Sequence, residues 1–205
     1  MNATRVKNVI FDLGGVLLEW NPAKILTDFY ADTDLRHLLK ESLFGHADWL
    51  ALDRGTLSEA EVLARAEQRT GRPAAELEAL HAAMRESLHV KPDTVALLDS
   101  LHARGIPLYC LSNMSAAVYA YLRLRHDFWD RFRGIVISGE IQLLKPEPEI
   151  FIHLLERFGL EARETVFIDD IAANVEGARA VGMLGIQFSD AAECERRLMP
   201  MLETA

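Results

Sequence analysis

Five short apolar runs, each stopped abruptly by small polar or acidic residues, constrain the fold of this chain most. Val9-Ile10-Phe11, within Val6 to Phe11, stops at Asp12-Leu13-Gly14-Gly15. Pro107 to Leu111 stops at Ser112-Asn113, and Gly134 to Ile137 stops at Ser138-Gly139. Thr165 to Ile168 stops at Asp169-Asp170, and Leu184 to Phe188 stops at Ser189-Asp190. Short apolar runs bounded in this way read as buried strands feeding tight turns. Helical patterns lie between them. Thr94 to His102 carries Val95, Leu97, Leu98 and Leu101, with Gly105 where a C-terminal cap belongs. Pro148 to Phe158 places Ile150, Phe151, Leu154, Leu155 and Phe158 on one side before Gly159, and Ile171 to Val181 precedes Gly182. Strand alternating with helix predicts an α/β fold, a parallel sheet covered on both faces.

Residues 18–90 break that rhythm. They hold no clear strand run, and segments starting near Pro22, Asp34, Ser58 and Ala74 read as helices. Ser58-Glu59-Ala60-Glu61 has the form of a capping box, and Pro73 stands just ahead of a helix, where proline is tolerated. We therefore expect a helical cap domain over 18–90, inserted into a core domain made of 1–17 and 91–205. A chain of 205 residues is long enough for such a core without disulfides or metals as staples.

Charge and cysteine usage narrow the function. The net charge of −9 makes the chain a poor non-specific binder of nucleic acid or anionic membrane, while a local basic pocket for a small phosphate is allowed. Two cysteines, Cys110 and Cys194, make no disulfide framework, and no Cys/His cluster offers a zinc site. Without an apolar leader at Met1 to Arg5 or a run long enough to span a bilayer, the expectation is a cytoplasmic protein.

Ligands of open α/β sheets bind outside the carboxyl ends of the strands. Those ends present Asp12, Ser112-Asn113, the turn leading to Lys145, and Asp169-Asp170. Each has a bland reading: Asp12 begins a turn, Ser112 or Asn113 caps a helix, Lys145-Pro146 is a surface loop, Asp169 or Asp170 caps the helix near Ile171. Four independent polar groups at the same ends of parallel strands favour a single site.

The order and spacing of these groups resemble the four motifs of the haloacid dehalogenase (HAD) superfamily. The matching segments are Ile10-Phe11-Asp12-Leu13-Gly14-Gly15-Val16, Leu111-Ser112-Asn113, Lys145-Pro146-Glu147-Pro148, and Phe167-Ile168-Asp169-Asp170 followed by Asn174. The nearest branch is that of bacterial sugar-phosphate phosphatases and the phosphatase domains fused to epoxide hydrolases. The resemblance covers essentially the whole chain and implies a Rossmann-like core with a helical cap. It implies a Mg²⁺-dependent phosphatase acting on a small phosphorylated metabolite, with Asp12 as a nucleophile that becomes an aspartyl phosphate. It further implies Asp12, Asp170 and the Gly14 carbonyl as metal ligands, with Asp169 acting through a metal-bound water. Lys145, Ser112 and the Asn113 N–H would hold phosphoryl oxygens, and Asn174 would orient the site.

One position departs from the pattern. Phosphatases of the family usually carry a second Asp two residues after the nucleophile, as the acid that protonates the leaving oxygen, and here that position is Gly14. A less basic leaving group, such as that of a sugar 1-phosphate, would tolerate the loss; otherwise another group must donate the proton, or the chain is a weakly active or non-catalytic phosphate binder. A 2-haloacid dehalogenase is the other enzymatic reading, but it leaves the Asp169-Asp170 pair without a purpose. In the cap, Trp20, His46, Trp49, Asp53 and Arg54 are pocket candidates, with Asp53 to Ser58 read as a turn running into a helix. His81 has no partner spacing that indicates catalysis. The expected assembly is a monomer or homodimer.

Overall fold

In the computed structural model, which describes residues 5–203, the five apolar runs form one parallel sheet. The strands are β1 (Asn8–Phe11), β2 (Leu108–Ser112), β3 (Gly134–Ile137), β4 (Thr165–Asp169) and β5 (Leu184–Gln187), in the order β3-β2-β1-β4-β5. The chain therefore fills the sheet outward from β1 in both directions, and the reversal lies between β1 and β4. Phe11 is in register with Cys110 on one side and Ile168 on the other. Asp12 consequently leaves the sheet level with Leu111 and Asp169, at the crevice where ligands of such sheets bind.

Because strand side chains alternate in direction, each strand feeds two cores. Val9, Phe11, Cys110, Ile168 and Ile186 face the layer of α6 (Pro92–Ala103), α7 (Ala116–Arg125) and α11 (Ala191–Glu203). Ile10, Tyr109, Leu111, Val136 and Phe167 face α9 (Pro148–Phe158) and α10 (Ala172–Ala180). Phe11, Phe151 and Phe167 are wholly buried, each contributing roughly 1.5–3 kcal/mol of transfer free energy. With both faces covered, the strands tolerate no polar residue until their ends, which is why the apolar runs stop where the site begins.

The remaining helices are α1 (Pro22–Phe29), α2 (Thr33–Leu39), α3 (Ala47–Arg54), α4 (Glu59–Thr70), α5 (Ala74–Glu86) and the single turn α8 (Ser138–Ile141), with a π-helical turn at Lys40–Phe44. The capping box forms: Glu61 N–H donates to Ser58 Oγ at 3.3 Å and Ser58 N–H to Glu61 Oε2 at 2.8 Å. α3 was not expected. Asp53 and Arg54 belong to its last turn, and the bend predicted over 53–58 starts only at Gly55, which ends α3 in left-handed conformation. The entry and exit of this helical insertion run side by side. Glu19 N–H donates to the His89 carbonyl and Lys91 N–H to the Leu17 carbonyl, both at 2.8 Å. Among the described residues, no helix is long and apolar enough to cross a membrane.

Candidate active site

The ends of β1, β2 and β4 and the loop before α9 converge on one buried ammonium. Lys145 Nζ lies 2.8 Å from Asp12 Oδ1 and donates to Asp169 Oδ2 at 2.6 Å and to the Leu111 carbonyl at 3.1 Å. The Lys145 side chain is 1% exposed, so these partners hold its charge where water cannot. Its main chain is clamped by Asn113, whose Nδ2 donates to the Lys145 carbonyl and whose Oδ1 accepts from Lys145 N–H, both at 2.9 Å. Asn113 therefore does not cap α7. Ser115 does, accepting from Val118 N–H. Ser112, at the end of β2, is buried and faces the same cavity.

Asp169 is fully committed. Its Oδ1 accepts from Ile171 N–H at 2.8 Å, and Asn174, in the first turn of α10, donates to both oxygens at 3.0 and 3.1 Å. Asn174 thus orients Asp169. Asp170 differs: its Oδ1 is buried and has no hydrogen-bond partner among the described residues. One oxygen from each of Asp12, Asp169 and Asp170 lies within 4.8 Å of the others.

Three carboxylates share one ammonium, and the electrostatics register the imbalance. Burial raises the Asp12 pKa, with Lys145 opposing and Asp169 reinforcing the shift. Burial and the neighbouring Asp169 charge likewise raise Asp170. Burial alone would lower Lys145, but Asp12 and Asp169 outweigh it and hold the ammonium above its ordinary range.

Two further positions shape this corner. Gly15 has φ +78°, and a Cβ there would lie 2.3 Å from Asp170 Oδ2, so only glycine lets the loop pass. Its carbonyl accepts from Lys91 Nζ at 2.8 Å. The Gly-Gly pair after Asp12 was a visible signal for the first; nothing in the sequence marked Lys91. At Gly14 the nearest neighbours of an added Cβ would be Trp20 Cβ at 3.5 Å, Cγ at 3.7 Å and Cδ1 at 4.0 Å, all ordinary contacts, so the space does not itself forbid a side chain.

A cavity of about 320 Å³ opens on Asp12, Ser112, Lys145 and Asp170 from the core, and on Trp20, Trp49 and Asp53 from the helical insertion. Trp20 and Trp49 stack with ring centroids 6.2 Å apart. Asp53 shares this cavity; burial pushes its pKa up to about 8, Lys145 opposing and the Asp12 charge adding. His46 and Arg54 lie elsewhere. His46 is the N-cap of α3, its Nδ1 accepting from Asp48 N–H at 3.1 Å. Arg54 pairs with Glu147 and donates to the Gln142 carbonyl, joining α3 to the loop before α9. His81 is buried against the cavity with Nδ1 2.9 Å from Glu59 Oε1, a pairing that spans two helices and so left no local signal in the sequence.

Comparison with known proteins accords with this geometry. The sesquiterpene phosphatase astK of Aspergillus oryzae is 31% identical over 187 residues, covering 91% of this chain and 92% of that protein. The drimenol cyclase drtB of Aspergillus calidoustus is 29% identical over 196 residues, covering 94% of this chain but 36% of that longer protein. A HAD family enzyme of Bacteroides thetaiotaomicron, solved in complex with magnesium and inorganic phosphate, shares the fold with a TM-score of 0.74 at 24% identity, covering 92% of this chain and 98% of that one. The haloacid dehalogenase-like hydrolase family profile matches residues 6–182, and the chain belongs to that family.

Proposed function

We propose that this protein is a Mg²⁺-dependent phosphatase that hydrolyses a small phosphorylated metabolite through an aspartyl phosphate on Asp12. The observation that carries the reading is the buried Lys145 bound to Asp12 and Asp169 beside an Asp170 oxygen with no partner. The whole-length relative that is a sesquiterpene phosphatase supports it.

The donor set fits a hard divalent cation, being all oxygen, with surplus negative charge and a buried oxygen free to ligate. Asp12, Asp170 and the Gly14 carbonyl would hold Mg²⁺ directly, with Asp169 one water away. When bound, the cation offsets the repulsion between Asp12 and the phosphate dianion. Lys145, Ser112 and Asn113 N–H hold the phosphoryl oxygens. An Asp12 carboxylate oxygen attacks phosphorus as the ester oxygen departs, and Asp53, still protonated at neutral pH, gives that oxygen its proton. The resulting Asp53 carboxylate then takes a proton from the water that attacks the aspartyl phosphate. Inorganic phosphate leaves, and both carboxyl groups are restored. With Asp53 as donor, the substitution at Gly14 no longer restricts the enzyme to weakly basic leaving groups such as those of sugar 1-phosphates. The division into a core of 1–17 and 91–205 and a cap of 18–90 is part of this reading, the cap supplying Asp53 to chemistry housed in the core.

The test is phosphate release from a panel of phosphate monoesters with Mg²⁺ or EDTA, in the wild type and Asp170→Ala. We expect release only from the wild type with Mg²⁺. Metal-independent halide release from 2-haloacids would replace this reading with a dehalogenase.

A further inference from the structure

We propose that the organic part of the substrate is a hydrocarbon chain or ring system with no polar group beyond its phosphate ester, and that the cavity leading away from Asp12 is its slot. This rests on the phosphatase reading above and adds the substrate class. The argument starts from what lines the cavity beyond its phosphate end: Trp20, Phe44, Trp49, Leu52, Met84 and Val118. Three of them form a continuous aromatic wall, since Phe44 and Trp49 lie 4.8 Å apart between ring centroids and Trp20 lies against both. Methionine adds a surface that adapts to irregular apolar shapes.

Polar partners for a sugar are scarce there. Ser115 Oγ accepts from Val118 N–H at 3.3 Å as the α7 cap, which leaves its hydroxyl proton, while both amide atoms of Asn113 are engaged by Lys145. The other exception is His81, 1% exposed, whose Nδ1 lies 2.9 Å from Glu59 Oε1 and whose Nε2 has no hydrogen-bond partner among the described residues; each such atom could meet a single hydroxyl, not the several that a hexose carries. A hexose would bring hydroxyls on every face into this slot, and each one left unpaired would be desolvated without return. The mouth of the cavity makes the same choice. Leu50 is 55% exposed and Ile171 52% exposed, and both line the opening. Large apolar side chains turned to solvent at the rim of a cavity mark it for an apolar ligand.

The experiment measures binding and turnover separately, on the full chain with Mg²⁺. Calorimetry with non-hydrolysable n-alkylphosphonates, from methyl to decyl, gives the chain-length dependence of affinity. Phosphate release from the matching n-alkyl phosphates, glycerol phosphate, glucose 1-phosphate and glucose 6-phosphate gives the turnover ranking. Affinity should rise roughly fourfold per methylene until the slot is full, the factor expected for complete burial of each group. Longer alkyl phosphates should outrank every sugar phosphate in kcat/KM. Leu50→Glu, at an exposed site outside the chemistry, should weaken the longer phosphonates at least tenfold and leave methylphosphonate unchanged. A flat chain-length series alongside Mg²⁺-dependent turnover, or a hexose phosphate ranking first, would overturn the hydrocarbon slot and leave the phosphatase standing. A steep series without any phosphate release would uphold the slot and overturn the phosphatase.

Discussion

Asp12 and Lys145 hold each other's charges in a place where neither would be tolerated alone, so single substitutions here separate chemistry from folding. Asp12→Asn keeps the shape and removes the nucleophile; phosphate release should fall to the uncatalysed background while the circular dichroism spectrum stays native. Asp53 makes a finer test. As the proposed proton donor it should matter in proportion to leaving-group basicity, so Asp53→Asn should lower kcat on alkyl phosphates by roughly 10²-fold and on p-nitrophenyl phosphate very little. Equal losses on both would remove Asp53 from the proton transfer. Its pKa also fixes a sign for stability. Burial raises the carboxyl from its ordinary 3.8 to about 8. The folded state thus retains a proton that the unfolded chain releases. The stability this carries is complete below about pH 4 and is lost as pH rises through about 8. Asparagine cannot ionise, so in EDTA the variant should melt several degrees above the wild type at pH 8 and match it at pH 4. Gly14→Asp, whose Cβ would have its nearest neighbours in Trp20 at ordinary contact distance, should fold and restore much of the proton transfer missing from Asp53→Asn.

At the scale of elements, strands and longer helices were legible because their burial writes a period into the sequence. Val9 to Phe11 in β1 and Val166 to Ile168 in β4 are unbroken apolar runs because both faces are covered, and α9 shows a one-sided pattern because its other face meets water. α3 defeated that logic. It is eight residues long, and it buries Asp48 beside Trp49 and Leu52, so its inner face contains a charge. That Asp48 is tolerable only because Arg65 and Arg69, a helix away on α4, pair with it, and no local pattern shows this. The docking of α3 is equally non-local. Ser138 Oγ donates to the Asp53 carbonyl at 2.5 Å, and a Cβ on Gly55 would lie 2.4 Å from the Gly139 carbonyl oxygen. Gly55 thus serves both a left-handed turn and a backbone approach. Gly71, with φ +66° and nothing within 4 Å, serves only the turn. Gly71→Ala should therefore cost about 1–2 kcal/mol, the left-handed penalty alone. Gly55→Ala should cost clearly more, because α3 must also move off α8. Thermal melts of the pair decide this, at roughly 2–4 °C per kcal/mol for a domain of this size. Equal shifts would mean the α3–α8 approach is soft.

Across the whole molecule, the chemical end of the cavity was legible and the apolar end was not, for one physical reason. Carboxylates and an ammonium at strand ends stand out against an apolar background, whereas Trp20, Phe44, Met84 and Val118 look in sequence like any other core residue until the fold turns them toward one space. Long-range placement also hid Lys91, which meets the Gly15 carbonyl across 76 positions of chain. The carboxyl groups that were legible create a global consequence. Asp12, pushed up to about 7, and Asp170, also raised, are strained in their ionised forms while no cation is bound. Without metal, therefore, the contribution of Asp12 to stability is complete below about pH 4 and is lost as pH rises through about 7, and that of Asp170 is lost in the same direction. A cation binds the ionised carboxylates and competes with their protons, so its affinity and its stabilisation grow over that same window. The melting temperature in excess Mg²⁺ minus that in EDTA should be near zero at pH 4.5, climb through neutrality and level off near pH 8. At a Mg²⁺ concentration about a hundredfold above its dissociation constant, the plateau corresponds to about 2.7 kcal/mol. In Asp170→Ala the difference should vanish at every pH, because the ligand with the unpaired buried oxygen is gone. A Mg²⁺ effect of constant size from pH 4.5 to 8 would place the cation away from these carboxylates, since carboxyl groups of ordinary pKa are already ionised over most of that range and only raised ones carry the competition between metal and proton up to neutrality.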